Sequence, residues 1–204
     1  MIIPEELLLE RGATYRHVEA GEIIFQEGFP ATFYYQLVSG RVHSITLTDD
    51  GREILHKVGC PGESFGEFGL FDGGYYASSA VADSASTMLR LSVSKFLTLL
   101  SERSDLHFAF TKALVADLRF KFMLINVLSS HNPEDIVSSI IRYLNQEKKL
   151  ICQDCNRLLL TRQQLANMTG LRVETVIRAI KNMEKEEKVS IVKGKVFIPA
   201  DGMF

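Results

Sequence analysis

The sequence predicts an α+β protein in three consecutive parts: an N-terminal antiparallel β-roll, a long helix, and a C-terminal winged helix-turn-helix. Three observations predict it. Residues 13–100 break into short apolar runs separated by glycine-bearing turns; 105–129 hold neither proline nor glycine; 161–180 describe two short helices hinged on a glycine, followed by a strand-turn-strand pattern. The corresponding expected division is 1–104, 105–131 and 132–204. A chain of 204 residues that is 46% hydrophobic has ample material for packed cores.

In the first part the runs EAGEIIFQEG, TFYYQLVSGRVHSITLT and REILHKV are punctuated by Asp49-Asp50-Gly51 and Gly59-Cys60-Pro61-Gly62. Short strands at such even spacing favour an antiparallel roll or barrel. The turn-rich segment GESFGEFGLFDGGYYASSAV then interrupts the pattern. Gly66 to Phe71 can form either a short helix whose amides point toward an anion or simply a tight loop. Phe65, Phe68, Tyr75 and Tyr76 suit the lining of an apolar pocket or, equally, a core.

The second part is predicted as one helix, roughly 37 Å long at 1.5 Å per residue. Leu114, Leu118, Phe122, Ile125 and Leu128 recur at three or four residues, a stripe suited to packing against a second copy. Phe120, Met123, Leu124 and Val127 widen it, as expected if the helix also leans on its own chain. The alternative is a wholly intramolecular core helix. Asn132 and Pro133 end this helix and cap the next.

The third part carries the most specific signal. Thr161 and Gln164 have the spacing of a capping box, Leu165 and Met168 face inward, and Gly170 stands where a positive φ must stop the first helix. Val176, Ala179, Ile180 and Met183 form the buried stripe of the second helix, leaving Glu174, Arg178, Lys181 and Lys185 on the other side. That exposed face has DNA-reading chemistry. An Arg fork donates two hydrogen bonds to guanine O6 and N7, and a carboxylate accepts from cytosine N4. Glu174 and Arg178 are one turn apart, so they also have the spacing of an ordinary surface ion pair. Val173 and Ile177 suit contact with a thymine methyl, or a place at the border of the core. Val189–Val192 and 196–198 flank Lys193-Gly194-Lys195 as a hairpin wing, where the two lysines can meet phosphates.

Charge is consistent with this division. The net charge is −2, yet from Asn132 onward Lys and Arg exceed Asp and Glu by three, while the preceding residues carry an acidic excess of five. No apolar run is long enough to span a bilayer, and the N-terminus lacks a basic start with an apolar signal core. A cytoplasmic location is therefore expected. Three cysteines without a secretory signal argue against a disulfide framework. Cys152 and Cys155 form a C-x-x-C, read as two thiols in a loop, with a redox or metal switch as the minor alternative. No cysteine precedes Cys60 to hold an iron–sulfur cluster, and His17, His43, His56, His107 and His131 stand apart rather than as haem or metal ligands. No nucleophile–base constellation marks an enzyme.

These features together resemble the family of the cyclic-AMP receptor protein and the fumarate–nitrate reductase regulator (CRP/FNR). The residues that carry the resemblance are Gly21, Phe25-Gln26-Glu27-Gly28, Gly40, Gly62-Glu63, Phe65 through Phe71, 160–163 and 173–178. The resemblance covers nearly the whole chain and implies a cyclic-nucleotide-binding-like jelly roll, a dimerisation helix and a homodimeric transcription regulator that binds double-stranded DNA and works with RNA polymerase. It implies a DNA-contacting set of Thr161, Arg162, Gln163, Arg172, Val173, Glu174, Thr175, Ile177, Arg178, Lys193 and Lys195. Glu174 and Arg178 take the base-reading positions; Val173 resembles the fumarate–nitrate branch, which implies a TGA-containing half-site. The dimer stripe is carried by Leu114, Leu118, Phe122 and Ile125. The effector pocket corresponds to Gly66, Glu67, Phe68, Ala77 and Ser78, and is degenerate. Glu67 and Ser78 match the ribose-binding Glu and phosphate-contacting Ser, but Ala77 stands where the family has a phosphate-pairing Arg. The polar pair that contacts adenine is likewise missing from 122–126. Cyclic AMP is therefore not the expected effector; nor is haem or an iron–sulfur cluster.

Overall fold

The computed structural model describes residues 2–130 and 132–199. Two compact units divide between Asp117 and Leu118.

The first unit begins with a short helix, α1 (Glu5–Glu10), then strands β1 (Thr14–Val18), β2 (Ile23–Phe25), β3 (Phe33–Ser39), β4 (Val42–Leu47), β5 (Glu53–Gly59) and β6 (Ser64–Phe65). A one-turn helix, α2 (Phe68–Asp72), precedes β7 (Ser79–Ala82) and β8 (Ser86–Ser92), and α3 (Val93–Glu102) leads into α4 (Ser104–Leu128). The strands form two four-stranded sheets, ordered β1-β8-β3-β6 and β2-β7-β4-β5, with every pair antiparallel. Strands distant in sequence lie side by side in both sheets, which makes this a roll rather than a meander, as the even spacing of strands predicts.

On the two faces of the first of these sheets, Tyr34, Leu37, Phe65, Met88, Leu89 and Leu91 are almost wholly buried. Phe96 from α3 stacks on Tyr34 at 4.3 Å, and Phe110 from α4 closes the cluster. Buried Gln36 is satisfied by the backbone of Ile3 in both directions and by the Tyr34 hydroxyl, which donates to it at 2.8 Å. Burial, followed by the charge of Glu67, pushes the Tyr34 phenol well above its ordinary value. The tight β3–β4 connection depends on Gly40 at φ +87°, where an added Cβ would lie 2.6 Å from the Ala85 carbonyl.

One local expectation needs correction, and one open alternative is decided. The stretch read as strands through residue 100 ends in α3, because Phe96, Leu99 and Leu100 recur at helical spacing and are buried together. The segment from Gly66, open in the sequence between a short helix and a tight loop, is helical only from Phe68, since Gly66 adopts φ +75° and a Cβ there would clash with the Phe25 ring.

Helix α4 presents two apolar faces along its length. Leu106 and Phe110 are buried in the roll's core and Leu114 packs against it half-buried. Leu114, read from sequence as part of the stripe for a second copy, is thus partly covered by its own roll. Leu118, Phe122 and Ile125 are exposed, as are Phe108 and Val115 upstream, so the open stripe steps by seven and by three or four residues.

The second unit holds α5 (Pro133–Gln146), α6 (Arg162–Thr169) and α7 (Val173–Lys185), with β9 (Ser190–Val192) and β10 (Lys195–Phe197) forming an antiparallel hairpin. Its core joins Val137, Ile140 and Ile141 of α5 to Leu165 of α6 and to Val176, Ile180 and Met183 of α7. Asn132 caps α5 by accepting from the Glu134 amide at 3.0 Å, with Pro133 in the first turn. Among the described residues no helix is long and apolar enough to cross a membrane.

Candidate nucleic-acid interface and effector site

Helix α6 begins with the predicted capping box. The Gln164 amide donates to Thr161 Oγ1, and Gln164 Oε1 accepts from the Thr161 amide, both at 3.0 Å. Gly170 ends it in the left-handed region at φ 71°. Arg172 then takes the position before α7 without any side-chain cap, so its guanidinium stays exposed. Helix α7 buries Val176, Ala179, Ile180 and Met183 and turns Glu174, Ile177 and Arg178 outward, with Val173 and Thr175 half-exposed.

No ion pair joins Glu174 to Arg178 among the described residues; the Arg178 guanidinium instead donates a long hydrogen bond to Thr175 Oγ1 at 3.5 Å. Neither charged group is thus spent on the other. Ile177 is 38% exposed, so it borders the core without being part of it. Beside Arg178 an open hollow of about 310 Å³ is lined by Asn132, Pro133, Glu134, Thr175, Ala179 and Asn182. Asn182 donates to Glu134 across it at 3.1 Å. Sequence reasoning found Asn132 as a cap but missed Asn182, which lies within one helical turn of Arg178.

The wing turns on Lys193 at φ 47° and Gly194 at φ 74°, two successive left-handed residues as a two-residue hairpin of the primed type requires. Both Lys193 and Lys195 are exposed. Arg162 donates to the Gly194 carbonyl and so ties α6 to the wing tip. Its side chain is at least partly committed to holding the wing, while Gln163 is exposed and donates to Asn167 at 2.8 Å. A third strand-like segment completes the wing: the Leu158 amide donates to Val196, and the Ile198 amide to Asn156.

In the roll, Gly66, Glu67 and Phe68 lead into α2. The Glu67 carboxylate is buried and meets Lys57 Nζ at 3.4 Å; the same ammonium donates to Asp117 Oδ2 at 2.6 Å and to the Ser64 carbonyl at 3.1 Å. Burial alone lowers the Lys57 pKa, but the charges of Glu67 and Asp117 outweigh it and hold the group above its ordinary value. Lys57 was not among the residues singled out from sequence. Ala77 is exposed and Ser78 half-buried, so no cation stands at the position after the Tyr75–Tyr76 turn. Of the four rings considered as a pocket, Phe65 and Tyr76 are core, with Phe25 stacked on Tyr76 at 3.9 Å, whereas Phe68 and Tyr75 are exposed. His17 and His56 each bond a threonine hydroxyl, at 2.9 and 2.8 Å, and His43 Nδ1 lies 2.7 Å from Asp83; His131 lies outside the described residues. No group of three or more His, Cys, Asp or Glu is placed to hold a metal among the described residues.

Comparison with known proteins agrees with both units. Residues 15–103 match the model of the cyclic nucleotide-binding domain, and 138–200 that of the Crp-like helix-turn-helix domain. The chain is 25% identical over 177 residues to the cAMP-activated global transcriptional regulator CRP of Pasteurella multocida, covering 86% of this chain and 84% of that one. It is 24% identical over 184 residues to the nitrogen fixation regulation protein FixK of Bradyrhizobium diazoefficiens, covering 88% and 76%. Among solved structures, the c-di-GMP responsive global regulator CLP of Xanthomonas campestris superposes with a TM-score of 0.76 at 22% identity, over 95% of this chain and 99% of that one.

Proposed function

Since the chain belongs to the CRP/FNR family of DNA-binding transcription regulators, we propose that it acts as a homodimer reading a palindromic site with TGA-containing half-sites, and that cyclic AMP is not its effector. The observation that carries the reading is the outward pair Glu174 and Arg178, one turn apart on a helix held by a capping box and a left-handed glycine, with neither group spent on the other. Arg178 addresses guanine and Glu174 addresses cytosine, while Arg172, Lys193 and Lys195 meet phosphates and set the register. Thr161 and Gln163, both exposed, and half-exposed Thr175 add polar groups to the same reading. Val173 and Ile177 supply apolar contact at the outer base.

The exposed stripe of Leu118, Phe122 and Ile125 supports pairing of two α4 helices. A two-fold pair places two recognition helices about 34 Å apart, one turn of DNA. RNA polymerase is the partner through which such a cytoplasmic regulator acts.

The effector argument rests on Lys57, Glu67 and Ala77. Cyclic AMP needs acceptor capacity at Glu67 for the ribose hydroxyl, part of which Lys57 takes, and a cation for its phosphate. Here the carboxylate already holds Lys57, and Ala77 offers no charge. A lost charged hydrogen bond alone is worth roughly 1.5–3 kcal/mol, about tenfold or more in affinity. The decisive experiment selects bound duplexes from a random pool. Recovery of paired TGA-containing half-sites supports the reading; recovery of no preferred sequence refutes it. Calorimetry with cyclic AMP tests the second part, and micromolar binding that tightens DNA affinity refutes that part alone.

A further inference from the structure

The C-x-x-C of Cys152 and Cys155 is not used by the reading head, yet the structure gives it a defined place. Both thiols are free; Cys155 is exposed and Cys152 half-buried. They sit in a single turn closed by two backbone hydrogen bonds, from the Asn156 amide to the Cys152 carbonyl and from the Cys152 amide to the Arg157 carbonyl, both at 2.9 Å. The first and fourth residues of a turn have Cα atoms within about 7 Å, near the roughly 4.4–6.8 Å that a disulfide spans, and here the two thiols are close enough to hydrogen-bond. The turn is the outer edge of the wing: Ile151 bridges Leu158, Arg157 bridges Phe197, and Asn156 and Leu158 exchange hydrogen bonds with Ile198 and Val196.

We propose that Cys152 and Cys155 are a redox-active dithiol, oxidised by low-molecular-weight disulfides, whose closure clamps the third strand of the wing. Cys152 is the attacking thiol. The hydrogen bond from the Cys155 thiol, followed by those from the Asp154 and Cys155 amides, holds it below its ordinary pKa. Its thiolate attacks one sulfur of the small disulfide, forming a mixed disulfide and expelling one thiolate. Cys155, deprotonated, then attacks Cys152 Sγ, forming the intramolecular bond and expelling the second. Two electrons pass from the protein thiols to the small disulfide, and the two protons end on its two product thiols. The ring constrains residues 152–155, which run directly into Asn156 and Leu158 with their bonds to the wing, so oxidation is felt where Lys193 and Lys195 are presented. This last consequence rests on the DNA-binding reading; the chemistry does not.

The test uses the full chain equilibrated in oxidised and reduced glutathione, quenched in acid and alkylated. Trypsin cuts after Lys149 and Arg157, so peptide 150–157 carries both cysteines and excludes Cys60. The expected oxidised product is this peptide lighter by two hydrogen atoms and unalkylated, restored by dithiothreitol, while the Cys60 peptide stays alkylated. Cys155→Ser must instead stop at one glutathione on Cys152. Two alkylated thiols throughout, or a bond to Cys60, overturns the proposal. Amide exchange gives the second readout without DNA: the Leu158 and Ile198 amides exchange at least threefold more slowly in the oxidised protein, and equal exchange in both states refutes the clamp.

Discussion

Replacing Lys57 by Met isolates the interaction that holds the buried Glu67 carboxylate in the roll. The ammonium reaches Asp117 at 2.6 Å, the Ser64 carbonyl at 3.1 Å and Glu67 at 3.4 Å. Met keeps most of the volume and removes the charge. Glu67, only 5% exposed, is then a buried carboxylate without its cation. Breaking a buried pair from one side costs about 3–5 kcal/mol. The Lys57 and Asp117 side chains are 23% and 28% exposed, so water recovers part of that and the expected loss is about 2–4 kcal/mol. Urea denaturation measures it, and adding Glu67→Gln restores roughly half, because the orphaned charge is gone. The pH dependence has a definite sign. Lys57 is raised in the folded protein, so its contribution is complete below the unfolded value of about 10.5 and is lost only as pH rises through the higher folded value. The titration of Lys57 itself therefore adds no pH dependence to that stability between about pH 6 and 9. A loss below about 0.5 kcal/mol, the size of an ordinary surface substitution, would refute the reasoning.

Arg178→Ala should cost about 1–3 kcal/mol on the selected site and relax preference at one guanine, whereas Lys193→Ala should weaken specific and random duplexes alike and reduce the salt slope by about one. Equal losses on both kinds of DNA for Arg178→Ala contradict its assignment. Phe122→Glu, at a residue 62% exposed on the open stripe of α4, should shift sedimentation from dimer to monomer without lowering the melting temperature of the roll; an unchanged sedimentation coefficient removes that stripe from the interface. Near the start of α4, paired hydrogen bonds from Arg103, at 2.8 and 2.9 Å, hold the Asp105 carboxyl at about 2. Its contribution is present above the unfolded carboxylate value and fades as pH falls through about 2; carboxyl NMR titration should show that midpoint, and Arg103→Ala should raise it toward the ordinary range.

What the sequence made legible follows the range of the interactions. The capping box of Thr161 and Gln164, the left-handed Gly170, the stripe Val176, Ala179, Ile180 and Met183, and the cap at Asn132 involve residues two to four apart. Periodicity and capping chemistry act at that distance. The stripe on α4 was harder, because two apolar faces overlap in one helix. Leu106, Phe110 and Leu114 step by four along the face turned to the roll, and only burial separates Leu114 from the open set of Leu118, Phe122 and Ile125. Pairing of β1 with β8, or of β2 with β7, depends on which strands meet across the roll, and no local pattern records that.

The same limit explains why one cation was missed and the internal bond of another was not foreseen. Lys57 lies in a strand whose sequence alternates unremarkably, and its partners are ten and sixty positions away. Arg162 sits beside the predicted cap, where a DNA-facing role is natural, but its guanidinium reaches the carbonyl of Gly194 thirty-two positions on. A charged side chain announces only its own sign; whether it meets solvent, a phosphate or an internal acceptor is decided by the tertiary fold. The fold thereby sorts the basic residues of this chain. Arg178, Arg172, Lys193 and Lys195 remain open to solvent, Arg162 holds the wing from which two of them project, and Lys57 is turned inward, bonded to the buried Glu67 carboxylate.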